Sequence, residues 1–195
     1  TGTNGKSSVA AFTRQIWHSC GLPSASIGTL GLVAPWKTET GRLTTPDPVD
    51  LHRTLLKLTK GGVEHVILEA SSHGLSQFRM DGINIEVAAF TNLSREHLDY
   101  HKTMEKYFNA KCRLFTEVLN PDGIAVINSD DKMMTRVLEI LKERNISRIE
   151  FGKNANDLIL KHNEILPDGQ KLSLSVFGRT FNVILPLIGS FQSMN

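Results

Sequence analysis

The stretch Thr1-Gly2-Thr3-Asn4-Gly5-Lys6-Ser7-Ser8 decides how the rest of the chain is read. Two glycines bracket a short loop, and a lysine and two serines follow at once. Val9, Phe12, Ile16 and Cys20 then recur at helical spacing up to Gly21, so the loop opens directly into a helix from Ser8 to Cys20. Glycines let backbone N–H groups curl around phosphate oxygens, and the helix N-terminus adds positive potential. Lys6 can reach the β- and γ-phosphates, and the Ser7 hydroxyl can hold Mg²⁺. The chain opens inside this loop rather than on a methionine, which reads as a fragment of a longer protein.

Downstream of the loop the pattern is that of an α/β protein. Ser26 to Val33 reads as a weak strand or loop. Asp47-Pro48 is an N-cap with proline at the first helical position, and Leu51, Leu55 and Leu58 form the stripe of a helix that Gly61-Gly62 ends. Val63 to Ala70 and Ile83 to Thr91 read as buried strands. Thr103 to Leu119 is predicted as one long helix closed by the turn Asn120-Pro121-Asp122-Gly123. A strand at Ile124 to Asn128, a helix at Asp130 to Arg144 and a short strand at Arg148 to Phe151 follow. After Gly152 the period changes to two, with Leu172, Leu174 and Val176 and then Phe181, Val183 and Leu185 alternating with other residues. Pro167-Asp168-Gly169 and Gly178-Arg179 fit hairpin connections. The expected fold is α/β: a mostly parallel sheet flanked by helices, of P-loop type, with a small antiparallel sheet in the last quarter.

The 195 residues are enough for one large domain or two small ones, and 40% hydrophobic with 22% charged excludes a disordered chain. A net charge of +2, from 22 basic and 20 acidic side chains, gives no reason to expect nucleic acid or a membrane surface as partner. Cys20 and Cys112 stand far apart and in no metal-ligand spacing, so a reducing cytoplasm is the expected compartment.

Three further positions carry chemistry. Glu69 ends the run Val66-Ile67-Leu68, and strand carboxyl ends in open α/β sheets face the ligand crevice. A carboxylate there can coordinate a nucleotide's metal, or it can be a surface residue at a strand exit; the polar Ser71-Ser72-His73-Gly74 that follows favours a site. His97, in the polar segment Asn92 to His101, could ligate a metal, though composition does not separate it from His101. Lys111 falls three residues after Phe108 and four before Phe115, inside the apolar stripe that these form with Met104 and Val118, with Leu114 beside it. Either its stem snorkels and its charge reaches water, or its head enters a site where burial makes the neutral amine available.

These segments together resemble the central domain of the Mur ligases, the ATP-dependent amino-acid ligases of peptidoglycan synthesis. The resemblance rests on the loop from Thr1 to Ser8, on Glu69-Ala70-Ser71-Ser72-His73-Gly74-Leu75, and on Thr91-Asn92-Leu93-Ser94-Arg95-Glu96-His97-Leu98-Asp99. Leu43-Thr44-Thr45-Pro46, Gln77-x-Arg79 and Asp99-Tyr100-His101 point to the branch that adds the third peptide residue. The resemblance spans the whole chain and implies a central ATP-binding domain over 1–195, without the uridine-binding and amino-acid-binding domains that flank it in the family. It implies that Gly2, Thr3, Asn4, Gly5, Lys6, Ser7 and Ser8 hold ATP together with Asn92, and that Asn195 lies near the adenine. Ser7, Glu69, His97 and Lys111 would serve the metal, Lys111 as a carbamate derived from CO₂. Thr44, Thr45, Ser71, Gln77 and Arg79 would contact the UDP-N-acetylmuramoyl dipeptide. Lys6, Glu69, His97 and Lys111 would be the catalytic set.

The implied reaction activates a substrate carboxylate as an acyl phosphate, which the amine of diaminopimelate or lysine then attacks. A monomer with no nucleic-acid or membrane partner is expected, and the fragment alone is expected to be inactive. Folylpolyglutamate synthetase, a relative with similar loop chemistry, and a non-catalytic nucleotide-binding module are the competing readings. The Thr44-Thr45-Pro46 and Ser71-Ser72-His73-Gly74 segments speak against the first, and intact Lys6, Glu69, His97 and Lys111 against the second.

Overall fold

A computed structural model describes residues 1–195. The phosphate-type loop leads into α1 (Lys6–Ser19), which lies over β1 (Ser24–Gly28) and, further on, β4 (His65–Leu68). β1 and β4 pair in parallel, Ser24 opposite His65 and Ile27 opposite Leu68. The segment read as a weak strand or loop is in fact two strands. β1 turns back antiparallel into β2 (Gly31–Ala34), which turns again into β3 (Lys37–Glu39), antiparallel to it. Gly31 makes this turn possible: its φ is +86°, and a Cβ there would meet the Glu39 carbonyl at 1.9 Å.

α2 (Pro48–Lys60) begins where the sequence predicts. The Asp47 carboxylate accepts from Val49 N at 3.0 Å, and Leu51 and Leu58 point into the core. Full burial of each such leucine is worth roughly 1.5–3 kcal/mol. Past β4, the short α3 (Ser72–Ser76) starts at Ser71, whose hydroxyl accepts from Gly74 N at 3.0 Å.

A second sheet begins with β5 (Ile85–Phe90), which the N-terminal residues flank: Thr1 donates to the Ala89 carbonyl and accepts from Thr91 N. After α4 (Leu98–His101) the predicted long helix ends early. α5 covers Met104–Arg113, one π-helical turn spans Leu114–Val118, and β6 (Leu119–Asn128) already begins at Leu119. Leu119 pairs with Ile85, and the residues read as a turn, 120–123, form an irregularity in the ladder before Ile124 pairs with Val87. The helix expected from Asp130 begins four residues later, as α6 (Met134–Glu143). Asp131 is engaged elsewhere: its carboxylate accepts from Leu93 N at 2.7 Å and Met133 N at 2.8 Å.

β5, β6 and β7 (Ser147–Gly152) are parallel neighbours. The antiparallel tail is β8 (Leu158–Leu166), β9 (Gly169–Val176) and β10 (Arg179–Leu185), closed by a 3₁₀ turn at Ser190–Met194. It is continuous with the second sheet, since Phe151 and Gly152 pair in parallel with Leu158 and Ile159. The strand orders are therefore β3-β2-β1-β4 and β10-β9-β8-β7-β6-β5. One apolar core serves both sheets, with Ile27, Leu75, Phe90, Phe115, Ile127 and Leu141 among its members. No helix is long and apolar enough to cross a membrane.

Candidate active site

The residues that follow the carboxyl ends of β1, β4 and β5 meet the N-terminus of α1 around a cavity of about 260 Å³. None of its 13 lining residues is hydrophobic: Thr3, Asn4, Gly5, Lys6, Ser7, Ser8, Thr29, Thr44, Glu69, Ser71, Ser72, His97 and Lys111. The sequence brings all of these forward except Thr29 and Ser72. Thr29 sits at the tip of a hairpin that periodicity read as a loose strand. Ser72 lies inside a polar run in which no spacing singles it out.

The loop leaves backbone donors free at the start of α1. Gly5 caps α1 with a φ of 86° and offers no side-chain acceptor to the first turn. Val9 N is the first to donate back, to the Gly5 carbonyl at 2.9 Å, so the N–H groups ahead of it have no partner within the helix. Asn92 braces the loop from the side: its Oδ1 accepts from Asn4 N at 2.9 Å and its Nδ2 donates to the Asn4 carbonyl at 3.1 Å. Thr3 is held by Tyr107 OH (3.2 Å) and by Ser94 N (2.9 Å). Lys6 folds back over the loop and donates to the Gly2 and Thr3 carbonyls at 3.0 and 2.7 Å. Burial lowers its pKa, against the pull of Glu69 and Glu96.

Glu69 is 4% exposed, and three donors hold its carboxylate. Ser7 Oγ donates to Oε2 at 2.9 Å, Thr29 N to Oε1 at 2.9 Å and Thr29 Oγ1 to Oε2 at 3.2 Å. Gly28 is a glycine because of this carboxylate: a Cβ there would meet Oε1 at 2.0 Å. The Glu69 carbonyl accepts from Thr45 Oγ1 at 2.8 Å, and that hydroxyl in turn accepts from Ser71 N at 3.0 Å. Thr44 Oγ1 lies 3.0 Å from Thr29 Oγ1. Hydroxyls from the first turn of α1 and from the β1–β2 turn thus converge on one buried carboxylate.

Lys111 does not snorkel. It is 1% exposed, its Nζ donates to the Gly2 carbonyl at 2.7 Å and lies 4.5 Å from the Tyr107 ring centre. Burial brings its pKa down to about 7, and the nearby Lys6 charge adds to the effect. The structure also separates the two histidines. His97, with a left-handed φ of 54°, lines the cavity, while His101 is buried against Tyr107 with ring centres 5.2 Å apart. His73, which the sequence reading places in a polar run without giving it a role, stands edge-on to His97 at 5.1 Å. Glu69 and His97 share the cavity, but no three His, Cys, Asp or Glu side chains converge on one point.

The remaining expected site residues stand beside the cavity rather than in it. Gly2 and Asn92 belong to the loop and its brace. Thr45 is fully buried behind Glu69 and Ser71. Arg79 donates to the Thr45 carbonyl at 2.8 Å and to Gln77 Oε1, and Gln77 Nε2 donates to Tyr100 OH at 3.1 Å. Asn195 reaches the loop from the far end of the chain, where its Oδ1 would lie 2.3 Å from a Cβ on Gly5.

The family described as Mur ligase middle domain matches residues 1–195. The chain belongs to the Mur ligase family. Among curated Mur ligases it is 47% identical over 199 residues to the UDP-N-acetylmuramoyl-L-alanyl-D-glutamate–2,6-diaminopimelate ligase of Bradyrhizobium diazoefficiens, covering all of this chain and 41% of that protein. It is 45% identical to the enzyme of the same name from a Chelativorans species, again over its whole length and 40% of the relative. The chain thus spans about two fifths of the length of these Mur ligases. A solved structure of a ligase of that name superposes with a TM-score of 0.89 at 33% identity, covering 99% of this chain and 39% of the other. MurF from Acinetobacter baumannii shares the fold, with a TM-score of 0.76 at 19% identity over 99% of this chain and 39% of that one.

Proposed function

We propose that residues 1–195 are the central ATP-binding domain of a longer ligase. That ligase joins diaminopimelate to UDP-N-acetylmuramoyl-L-alanyl-D-glutamate in the cytoplasm. The observation that carries this reading is the convergence of the phosphate loop, Glu69 and the Thr44–Ser71 side on one wholly polar cavity. The names of the relatives at 45–47% identity supply the substrate pair.

The residues present fit ATP and Mg²⁺. The start of α1 carries N–H groups that no side chain caps, which suits phosphate. Ser7 and Glu69 offer hard oxygen donors within 2.9 Å of each other, which suits Mg²⁺ better than a softer metal. ATP with Mg²⁺ supplies the phosphoryl group that activates a carboxylate for amide formation.

In this reading the chain's own groups divide the work. Loop N–H groups and Lys6 hold the phosphates and stabilise charge on the transferring group. Ser7, Glu69 and His97 hold the metal. Thr44, Ser71, Gln77 and Arg79 orient the dipeptide, with Thr45 fixing Ser71 and the backbone of Glu69 from behind. Asn92 and Asn195 set the loop against the base end of the nucleotide. The neutral Lys111 amine would add to CO₂, forming an N–C bond as one C=O bond opens and releasing a proton to solvent, so that an anion replaces the buried ammonium on the cavity that Ser7, Glu69 and His97 also line. Its pKa of about 7 leaves a substantial neutral fraction for that reaction, and the carbamate N–H can still donate to Gly2.

The test is amide formation by the full-length ligase with ATP, Mg²⁺ and UDP-N-acetylmuramoyl-L-alanyl-D-glutamate, offered diaminopimelate, lysine or neither. Phosphate release that depends on the dipeptide, with product only when diaminopimelate is present, is expected. ATP hydrolysis indifferent to the dipeptide, or extension of a folate substrate instead, would refute the assignment.

A further inference from the structure

Phe78 stands between Gln77 and Arg79 with a φ of 58° and is 59% exposed. A bulky side chain rarely adopts that left-handed backbone, and it persists only where the surroundings over-determine it. The turn holds itself in part: Arg79 N donates to the Gly74 carbonyl at 2.9 Å, while Phe78 N to the Leu75 carbonyl and Asp81 N to the Phe78 carbonyl are both 3.2 Å.

A second hold, from outside the turn, comes from Arg113 on α5, whose guanidinium sits inside it. Nη1 donates to the Leu75 carbonyl at 3.0 Å and to Asp81 Oδ1 at 2.9 Å, and Nη2 donates to Asp81 Oδ2 at 2.8 Å. The guanidinium carbon lies 4.1 Å from the centre of the Phe78 ring. Glu117, one helical turn on, brings its carboxylate to 2.8 Å from Nε. The Arg113 side chain is only 11% exposed, so water competes little for these charged contacts. Arg113 therefore grips the turn at its start, its middle and its end.

What the turn presents is the pair on either side of Phe78. Gln77 reaches Tyr100 and Arg79 reaches the Thr45 carbonyl, so rotation about Phe78 would move both. Lys111, two residues before Arg113 on the same helix, holds the Gly2 carbonyl of the phosphate loop. One rigid helix thus grips the nucleotide loop and the 75–81 turn together.

We infer that Arg113 is a positioning residue for the dipeptide: it locks the 75–81 turn so that Gln77 and Arg79 face the substrate at a fixed distance from the phosphate loop. This rests on the reading that Gln77 and Arg79 contact the UDP-linked dipeptide. The test is steady-state kinetics of the full-length ligase carrying R113M, R113K, D81N or R79A, with limited trypsin digestion in parallel.

R113M keeps an apolar stem but loses the fork. It should raise the KM for the dipeptide about tenfold and leave the KM for ATP within twofold. R113K, able to meet Leu75 or Asp81 but not to fork, should fall between R113M and the parent. Should R113M not fold, D81N, at the exposed end of the clamp, should still raise the dipeptide KM selectively, by about threefold. Equal movement of both KM values, or movement of neither, would overturn the role. Tryptic cleavage after Arg79 should be about tenfold faster in R113M, and unchanged cleavage there would overturn the clamp itself. An unchanged dipeptide KM in R79A would instead overturn the substrate reading beneath it.

Discussion

Lys111 Nζ donates a 2.7 Å hydrogen bond to the Gly2 carbonyl, tying the apolar face of α5 to the phosphate loop. Desolvation holds its folded pKa near 7, below the ordinary 10.5. The unfolded chain therefore binds this proton more readily across that interval, and stability should rise with pH from about 7 to 10.5 on this account. Below about 7 both states are protonated, the slope vanishes, and the full penalty of the buried charge is felt. Denaturant unfolding of the parent and of Lys111→Met should differ most below neutral pH and converge as pH rises. A constant difference across the range would contradict the buried-amine assignment.

Activity should depend on the same group in another way. In the full-length ligase, Lys111→Ala should be nearly inactive, and a short carboxylic acid added to the assay should partly restore turnover by supplying the missing anion. Lys111→Arg should resist rescue because its cation stays in place. Removing CO₂ or lowering the pH below 7 should slow the parent. Full activity in Lys111→Arg would end the carbamate proposal.

In the full-length ligase, Lys6→Ala should abolish ligation while the far-ultraviolet circular dichroism stays that of the parent. The side chain's hydrogen bonds run to the Gly2 and Thr3 carbonyls, and Lys6 is not among the core residues, so the fold should survive its loss. Near-normal turnover would remove the phosphate-loop assignment.

Gly5→Ala asks more of the backbone. The site has φ +86°, and the added Cβ would sit 2.3 Å from Asn195 Oδ1. A destabilisation of roughly 1–2 kcal/mol is expected, together with a rise of tenfold or more in the KM for ATP. Calorimetry and kinetics on one preparation would check both.

Thr45→Val removes a buried hydroxyl that joins the Glu69 carbonyl to Ser71. The orphaned Ser71 N and Glu69 carbonyl should cost about 1–3 kcal/mol. The kcat/KM for the dipeptide should fall more than that for ATP. Thr45→Ser keeps the hydroxyl and should recover most of both; if it does not, the methyl group rather than the hydrogen bonds is what matters.

Local signals carried well where local physics is sufficient. A helix beginning after Gly5 needs only the glycines, the lysine and the apolar spacing that follows. Asp47-Pro48 sets the start of α2 because cap and proline act within one turn. The length of the helix around Lys111 was not legible in the same way. The apolar stripe runs on to Val118, but Leu119 is claimed by pairing with Ile85, and a strand partner 34 positions away leaves no trace in a helical period. The start of α6 shifted for a similar reason, because Asp131 caps Leu93 across the fold.

From the sequence alone come the α/β class and the glycine loop ahead of α1, because each depends on residues adjacent in the chain or at a helical or strand spacing; most of the groups in the cavity came from the resemblance to the Mur ligases. Lys111 shows the limit: spacing places it on an apolar face but leaves open whether its charge escapes to water. Only the packing of α5 against the Gly2 carbonyl decides that it does not. Thr29 joins Glu69, His97 parts from His101, and Arg113 enters the turn at Phe78 for one reason. Each depends on a contact between segments far apart in the chain, and the free energy of such a contact belongs to the folded arrangement, not to either segment.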